Sequence, residues 1–400
     1  MPTFTYVART RDGRKQSGSM SSNDKKSLTR ALQMRGLTPE QIEMKTGRKR
    51  TRGPRVKSAD VLVFTRQLST IVNAGLPLLQ GLDILAEQTE DPRFAKVIDQ
   101  IGTDVEGGDS FSDALRRHPR VYSDLYVSMV RSGEASGNLD GVLLQLADYM
   151  ESMEELKRRI RSAMTYPVVA LSMILLIAAG LIIWVVPQFA EIFAGFGQDL
   201  PLPTQMLIDV SNILRSIYAL MIVGVGVMIV LAIRLYGQTK TGRYNLDSIA
   251  LRLPVFGKLL RKVAISRFTR TLSTLTKSGV AILSALEIAE RTAGNEVFAR
   301  TIRQAGEAVR KGETLAEPLA RSGEYPSMVT RMIGVGEKTG ALEQMLSKIS
   351  DFYDSEVRAA VDGLTSLIEP ILIMMMGIIV GGIVIALFMP ILQLSSLVQQ

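Results

Sequence analysis

The chain has 400 residues, enough for two or three domains with cores of their own, and a net charge of +8. Its 46% hydrophobic content and mean hydropathy of +0.18 sit beside an ordinary 22% of charged residues, so soluble and apolar segments must alternate. With no cysteine there is no disulfide framework, thiolate chemistry or cysteine metal site, and the lone histidine, His118, reads as a surface turn residue in His118-Pro119-Arg120.

Residues 1–45 read as a small separate α/β docking domain. The N-terminus lacks the apolar stretch of a secretory signal peptide. Phe4, Tyr6 and Ala8 alternate with polar residues, and Asp12-Gly13 suits a turn. Ser21 to Asp24 offers caps for a helix ending at Gly36, and a short strand is expected near Ile42. The basic stretch 46–57 comes next. It reads as a solvated tether, or as a contact for lipid or a partner.

Residues 58–166 read as an all-helical bundle punctuated by Ser58, Gly75, Pro77, Pro92, Gly107-Gly108 and Ser110. A fifth helix is expected over Tyr122 to Arg131. The stretch Gly133-Glu134-Ala135-Ser136-Gly137 should then turn into a long sixth helix carrying Leu143, Leu146, Met150, Met153 and Leu156. Val168 to Val186 is uncharged and predicts a membrane-crossing helix over 167–187, since about 20 apolar residues cross a core of about 30 Å. A loop is expected over 188–216 and a second span over 217–236.

The bundle then repeats. Phe64-Thr65-Arg66-Gln67-Leu68-Ser69-Thr70 returns as Phe268-Thr269-Arg270-Thr271-Leu272-Ser273-Thr274. Gly75 matches Gly279, Phe94 matches Phe298, and Gly108 matches Gly312. Gly133 to Gly137 matches Gly336-Glu337-Lys338-Thr339-Gly340 with the spacing one residue shorter, as a short loop deletion would leave it. Asp148 then matches Asp351. The second bundle is expected over 237–369, a third span over 370–390 and a tail over 391–400. The fold class is therefore mainly α: duplicated cytoplasmic helical bundles, three transmembrane helices and the small α/β domain.

Charge placement argues for a membrane and against nucleic acid. Lys157-Arg158-Arg159 and Arg161 precede the first span, and Arg234, Lys240 and Arg243 flank the second. Residues 188–216 carry Glu191, Asp199 and Asp209 against Arg215 alone. By the positive-inside rule the N-terminus and both bundles are cytoplasmic, while 188–216 and the C-terminus face outward.

Little here suggests catalysis. Gly334-Val335-Gly336-Glu337-Lys338-Thr339 has Glu337 where a phosphate loop needs glycine, and the carboxylate would repel phosphate. No cofactor or metal is expected. Glu134, Gly137, Glu337 and Gly340 either shape a turn that caps the following helix or contact a partner. A cation site on these acids is the weaker reading. Arg66 and Arg270 are candidate coupling residues of the repeated opening. Glu369, beside Pro370 at a membrane edge, either reaches headgroup water or acts in function. Gly377, Gly381 and Gly382 suit close helix packing.

These motifs resemble the polytopic inner-membrane platform proteins, the PilC type of type IV pilus assembly and the GspF type of type II secretion. The resemblance rests on the duplicated Phe-Thr-Arg-x-Leu-Ser-Thr, the Gly-Glu-x-x-Gly-x-Leu motifs, Tyr166-Pro167, Glu369-Pro370 and Val185-Val186-Pro187-Gln188-Phe189. It spans essentially the whole chain. Gly195-Phe196-Gly197, Leu200-Pro201 and Leu253 to Lys258 tilt it towards the pilus branch. It implies a non-enzymatic bacterial inner-membrane platform that contacts a cytoplasmic hexameric ATPase, other inner-membrane components and pilin or pseudopilin subunits, and forms a homo-oligomer. The rivals are a secretion-system platform, an oligomeric transporter, which three spans without a mid-membrane charge hardly supply, and a membrane ATPase, which lacks its phosphate loop.

Overall fold

The computed structural model describes residues 3–9, 15–21, 29, 38–44, 56–194, 201–254 and 256–397. They fall into two compact units, 1–56 and 57–400.

The first unit holds a three-stranded antiparallel sheet of order β2-β1-β3, with β1 Thr3–Arg9, β2 Lys15–Ser21 and β3 Thr38–Met44. Phe4 pairs with Met20 and Met44, and Tyr6 with Gly18 and Ile42. The β1–β3 register slips between Val7 and Ala8, beside the Ala8–Pro39 pair. Pro39 has no N–H to give the ladder, which suits it to such a bulge. The expected strands at Phe4 and Ile42 are present. The Asp12-Gly13 turn and nearly all of the expected helix lie outside the described residues, as do 45–55 of the basic stretch.

In the second unit the first repeat runs α1 Ser58–Asn73, α2 Leu78–Gln88, α3 Pro92–Glu106, α4 Phe111–Arg116, α5 Asp124–Ser136 and α6 Leu139–Gly180. Several starts are written locally. Asp91 accepts from the Arg93 N–H with Pro92 at the first position of α3, and Ser110 and Ser123 cap α4 and α5. Ser58, expected as a cap, is instead the first helical residue, with Lys57 before it making no side-chain cap.

After α6 comes a π-helical turn, Leu181–Val185, then α7 Val186–Ala194, α8 Leu202–Arg215, α9 Ile217–Tyr236 and α10 Lys240–Arg252. The second repeat is α11 Phe256–Lys277, α12 Ile282–Thr292, α13 Glu296–Arg310, α14 Ala316–Arg321, α15 Ser327–Thr339 and α16 Leu342–Leu397. Each repeat thus uses six helices, the last packing back on the first.

The cores match residue for residue. Phe64, Leu68, Leu82 and Phe94 are buried in one bundle, and Phe268, Leu272, Leu286 and Phe298 in the other. Phe64 meets Phe94 edge-on at 5.6 Å and Tyr122 at 6.3 Å; Phe268 and Phe298 meet Tyr325 at 5.4 and 5.3 Å. Each such side chain contributes about 1.5–3 kcal/mol by leaving water. Tyr122 and Tyr325 correspond only with the one-residue shift, which places the deletion in the turn after α4 and α14.

Two stretches, Leu139–Phe189 and Leu342–Met389, are long and apolar enough to cross a membrane. Helix α6 has 42 residues and α16 has 56, so the rods are about 63 and 84 Å long at 1.5 Å per residue. Both run helically through their entrance prolines, Pro167 and Pro370. Leu176, Trp184, Ile378 and Ile385 stand exposed along them, as lipid-facing side chains would. The expected span at 217–236 is helical, with exposed Ile217, Leu220 and Met228. It passes the same length test only together with α8, from which it is bent by 72°. The segment 188–216, expected as a loop, is instead helical in α7 and α8.

Candidate functional site

The candidate residues sort into bundle joints and membrane ends, and the bundle joints occur twice. In the first bundle the Arg66 guanidinium donates to Asp148 at 2.8 Å and to Glu151, tying α1 to α6. In the second, Arg270 reaches Asp351 at 3.2 Å and also Asp354, tying α11 to α16. The copies differ in depth. Arg66, Asp148 and Glu151 are 37%, 62% and 62% exposed, whereas Arg270 and Asp354 are 22% and 16% exposed. Ser266 Oγ also donates to Asp354, at 2.5 Å. Asp148, chiefly through its hydrogen bond, raises the affinity of Arg66 for its proton.

The Gly-Glu motif forms a second duplicated joint. Glu134 accepts the backbone N–H groups of Phe111 at 2.5 Å and Ser112 at 3.0 Å; Glu337 accepts those of Leu315 and Ala316 at the same distances. Each carboxylate caps the short helix that precedes its own, α4 or α14, where unpaired N–H groups favour an anion. The motif is therefore not a turn that caps the following helix. Gly133 to Ser136 is the last turn of α5, and only Gly137 leaves it, at φ 71°; Gly340 does so at φ 72°. A Cβ on Gly133 would lie 3.0 Å from Val142 Cβ, so that glycine lets α5 approach α6. Gly334 to Thr339 is likewise helical, inside α15, with no loop to cradle a phosphate.

At the membrane end, Thr204 and Ser211 had no part in the sequence reading. In a π turn each carbonyl pairs five residues on, as Leu181 does with the Val186 N–H. For Ile182 that partner is Pro187, which has no N–H. Ser211 Oγ, buried on α8, donates to the Ile182 carbonyl at 2.7 Å. The Ala386 carbonyl, one α-helical turn before Pro390, is freed in the same way and takes the buried Thr204 hydroxyl. One face of α8 therefore serves both exit prolines. An apolar cluster of Ala178, Val186, Ile383 and Leu387 surrounds them, with Leu207 and Ile208 packed against it.

The remaining candidates stand apart. Glu369 is exposed on α16. A Cβ on Gly377, Gly381 or Gly382 would meet nothing within 4 Å, so that stripe faces open space in a single chain. His118 lies in a turn as expected but is half-buried. Burial lowers its pKa below the usual histidine value. Among the described residues no group of acidic or histidine side chains could hold a metal ion.

The sequence matches the family model described as Type II secretion system (T2SS), protein F, twice, over residues 64–187 and 268–390. It matches the model for the N-terminal domain of the same protein over residues 1–43. A type IV pilus assembly protein PilC of Myxococcus xanthus is 42% identical over 99% of this chain and 96% of its own length. The protein of the same name from Thermus thermophilus is 44% identical over 98% of each. A type II secretion system protein F of Vibrio cholerae is 34% identical over the whole of both chains. Two matched copies, falling on the two bundles and ending at Pro187 and Pro390, show that the chain belongs to the PilC and type II secretion protein F family, whose members are membrane platform proteins.

Proposed function

We propose that this chain is the inner-membrane platform of a type IV pilus assembly machine. In this reading it couples the strokes of a cytoplasmic hexameric ATPase to the extraction of pilin subunits from the bilayer into a growing filament. One observation carries the reading: the helix that closes each bundle is the same rod that enters the apolar region. A displacement of α1 or α11 passes through the Arg66 or Arg270 joint into that rod without crossing a loop. The relatives named for pilus assembly, at 42 and 44% identity against 34% for the secretion protein, favour the pilus over the secretion machine.

The finer arrangement belongs to this proposal. Both bundles hang in the cytoplasm, α9 is the return leg of a three-span chain, and 188–216 and the C-terminus face outward, as the flanking charges require. The N-terminal sheet belongs to an α/β docking domain. Arg66, Arg270, Glu134, Gly137, Glu337, Gly340 and Glu369 carry force or contact partners, and the open Gly377–Gly381–Gly382 stripe receives another helix.

Deleting the gene should abolish surface filaments, and the wild-type chain should restore them. Glu337→Ala should fail to restore them while still inserting in the membrane. Loss of protein export with filaments intact would instead favour the secretion reading. Topology is tested separately by a reporter inserted within 250–350. Activity on the periplasmic side would overturn the two-bundle arrangement.

A further inference from the structure

The two bundles meet head to tail. Helices α5 and α6 of the first lie on α11 and α16 of the second. There Ser132 Oγ donates to the Ser278 carbonyl at 2.5 Å, Ser278 Oγ donates to Gln145 Oε1 at 2.8 Å, and the Tyr149 and Thr271 hydroxyls lie 3.2 Å apart. Nearer the membrane, Leu156, Ile160 and Ala163 close over Leu259, Val263, Val357, Val361 and Leu364. Equivalent bundles here use different faces, so the contact is heterologous and, among the described residues, leaves one half of itself unused on each bundle.

Both unused halves expose apolar side chains where the used halves carry polar ones. On the second bundle Val335 stands at the position of Ser132 and Phe352 at that of Tyr149, 53% and 45% exposed. On the first, Val63 stands at the position of Arg267 and is 54% exposed, with Gln67 at that of Thr271. Val63 and Gln67 line an open cavity of about 530 Å³ that lies over the buried Phe64 and Phe94 and is rimmed by Lys57, Asp60, Glu90 and Asp91. In the second bundle the Arg267 guanidinium lies over Gly294 at the corresponding place.

We propose that a second copy of this chain covers this open face and repeats the internal contact between molecules. Phe352 of one copy sits over Val63 and Gln67 of the next, as Tyr149 sits over Thr271. Lys348, at the position of Gln145, then reaches the C-terminal end of α1, where free carbonyls and the helix dipole favour a cation. The membrane-proximal half is not repeated. Glu154, Arg158 and Arg161 occupy the positions of Val357, Val361 and Leu364. The contact between copies therefore lacks the apolar cluster that fastens the bundles within one chain, and it is the separable one.

The test places the photo-crosslinker benzoylphenylalanine at position 352 of the full chain in membranes of the native host. The same probe at position 149 is the internal control, which must label α11 of its own chain. The proposal expects a dimer-sized adduct from position 352 with its attachment in α1, lost when Val63→Asp is added. Attachment to α16 of the second copy would mean a two-fold dimer and overturn the head-to-tail arrangement. Attachment to another protein, or no adduct while the control labels α11, would overturn it equally.

Discussion

In the first bundle Phe64, Phe94 and Tyr122 form the aromatic core, and Val63 beside them faces outward. In the second, Phe268, Phe298 and Tyr325 form the same core, but the neighbouring surface is covered. Thr271, where the first bundle has Gln67, is buried against Tyr149 of α6. Helix α10 adds cover that has no counterpart among the described residues of the first bundle: Asp247 accepts the Glu296 N–H at 2.7 Å, and Arg300 stacks on Tyr244. Duplication preserved the packed interior and let the exteriors diverge. The Thr271 face of the second bundle is covered, whereas the equivalent Gln67 face of the first is presented.

The largest test of that comparison is a core truncation in each copy. Phe94→Ala and Phe298→Ala should each cost about 3–5 kcal/mol, measured by denaturant unfolding of the full chain in detergent. Similar losses would support equal interiors. A loss confined to one copy would break the equivalence.

The arginine joints should separate the copies. Arg270→Ala leaves the largely buried Asp354 without its cation and should cost about 1–3 kcal/mol. Arg66→Ala removes an exposed pair and should cost about 1 kcal/mol or less, shrinking further in high salt. Equal costs would mean that depth does not govern these joints.

Smaller still is the effect of the tyrosine hydroxyls. Tyr122 Oη and Tyr325 Oη are both buried and find no hydrogen-bond partner among the described residues. Burial pushes both hydroxyls away from ionisation. Tyr122→Phe and Tyr325→Phe should therefore be neutral or stabilise by up to about 1 kcal/mol. A clear loss in either would reveal a bound water or partner.

The smallest effect belongs to His118, which has no counterpart in the second bundle. Its folded pKa is lowered, so the unfolded chain takes up the proton first as pH falls. Stability is full above the unfolded value of about 6.5 and declines as pH drops through the folded value. His118→Gln should flatten that part of the stability–pH profile. An unchanged profile would show that His118 does not contribute.

What could be read from the sequence was whatever depends on neighbours along the chain. The repeated Phe-Thr-Arg opening was legible because its side chains fill the same cores, and Gly137 and Gly340 because only a left-handed residue ends those helices. What failed depended on contacts distant in sequence. Gly133 looked like a turn residue, but Val142 on the next helix requires its lack of a side chain. Glu134 looked like a cap for the next helix, whereas its partners are more than twenty residues back, at Phe111 and Ser112. Residues 188–216 looked like a loop because no local pattern announces the hydroxyls of Thr204 and Ser211. Their acceptors exist only because Pro187 and Pro390 lack donors. The uneven exteriors were equally hidden, since Val63 and Arg267 are ordinary surface choices until α6 arrives over one of them.

Those two prolines have a mechanical sequel. Prising the rod tips apart would strip an α8 hydroxyl from at least one of the two carbonyls, and a bare oxygen in hydrocarbon costs several kcal/mol. The far ends of the rods are thus pinned like the pivot of a pair of tongs. Leverage applied at the handles turns the limbs about that rivet and leaves the tips joined.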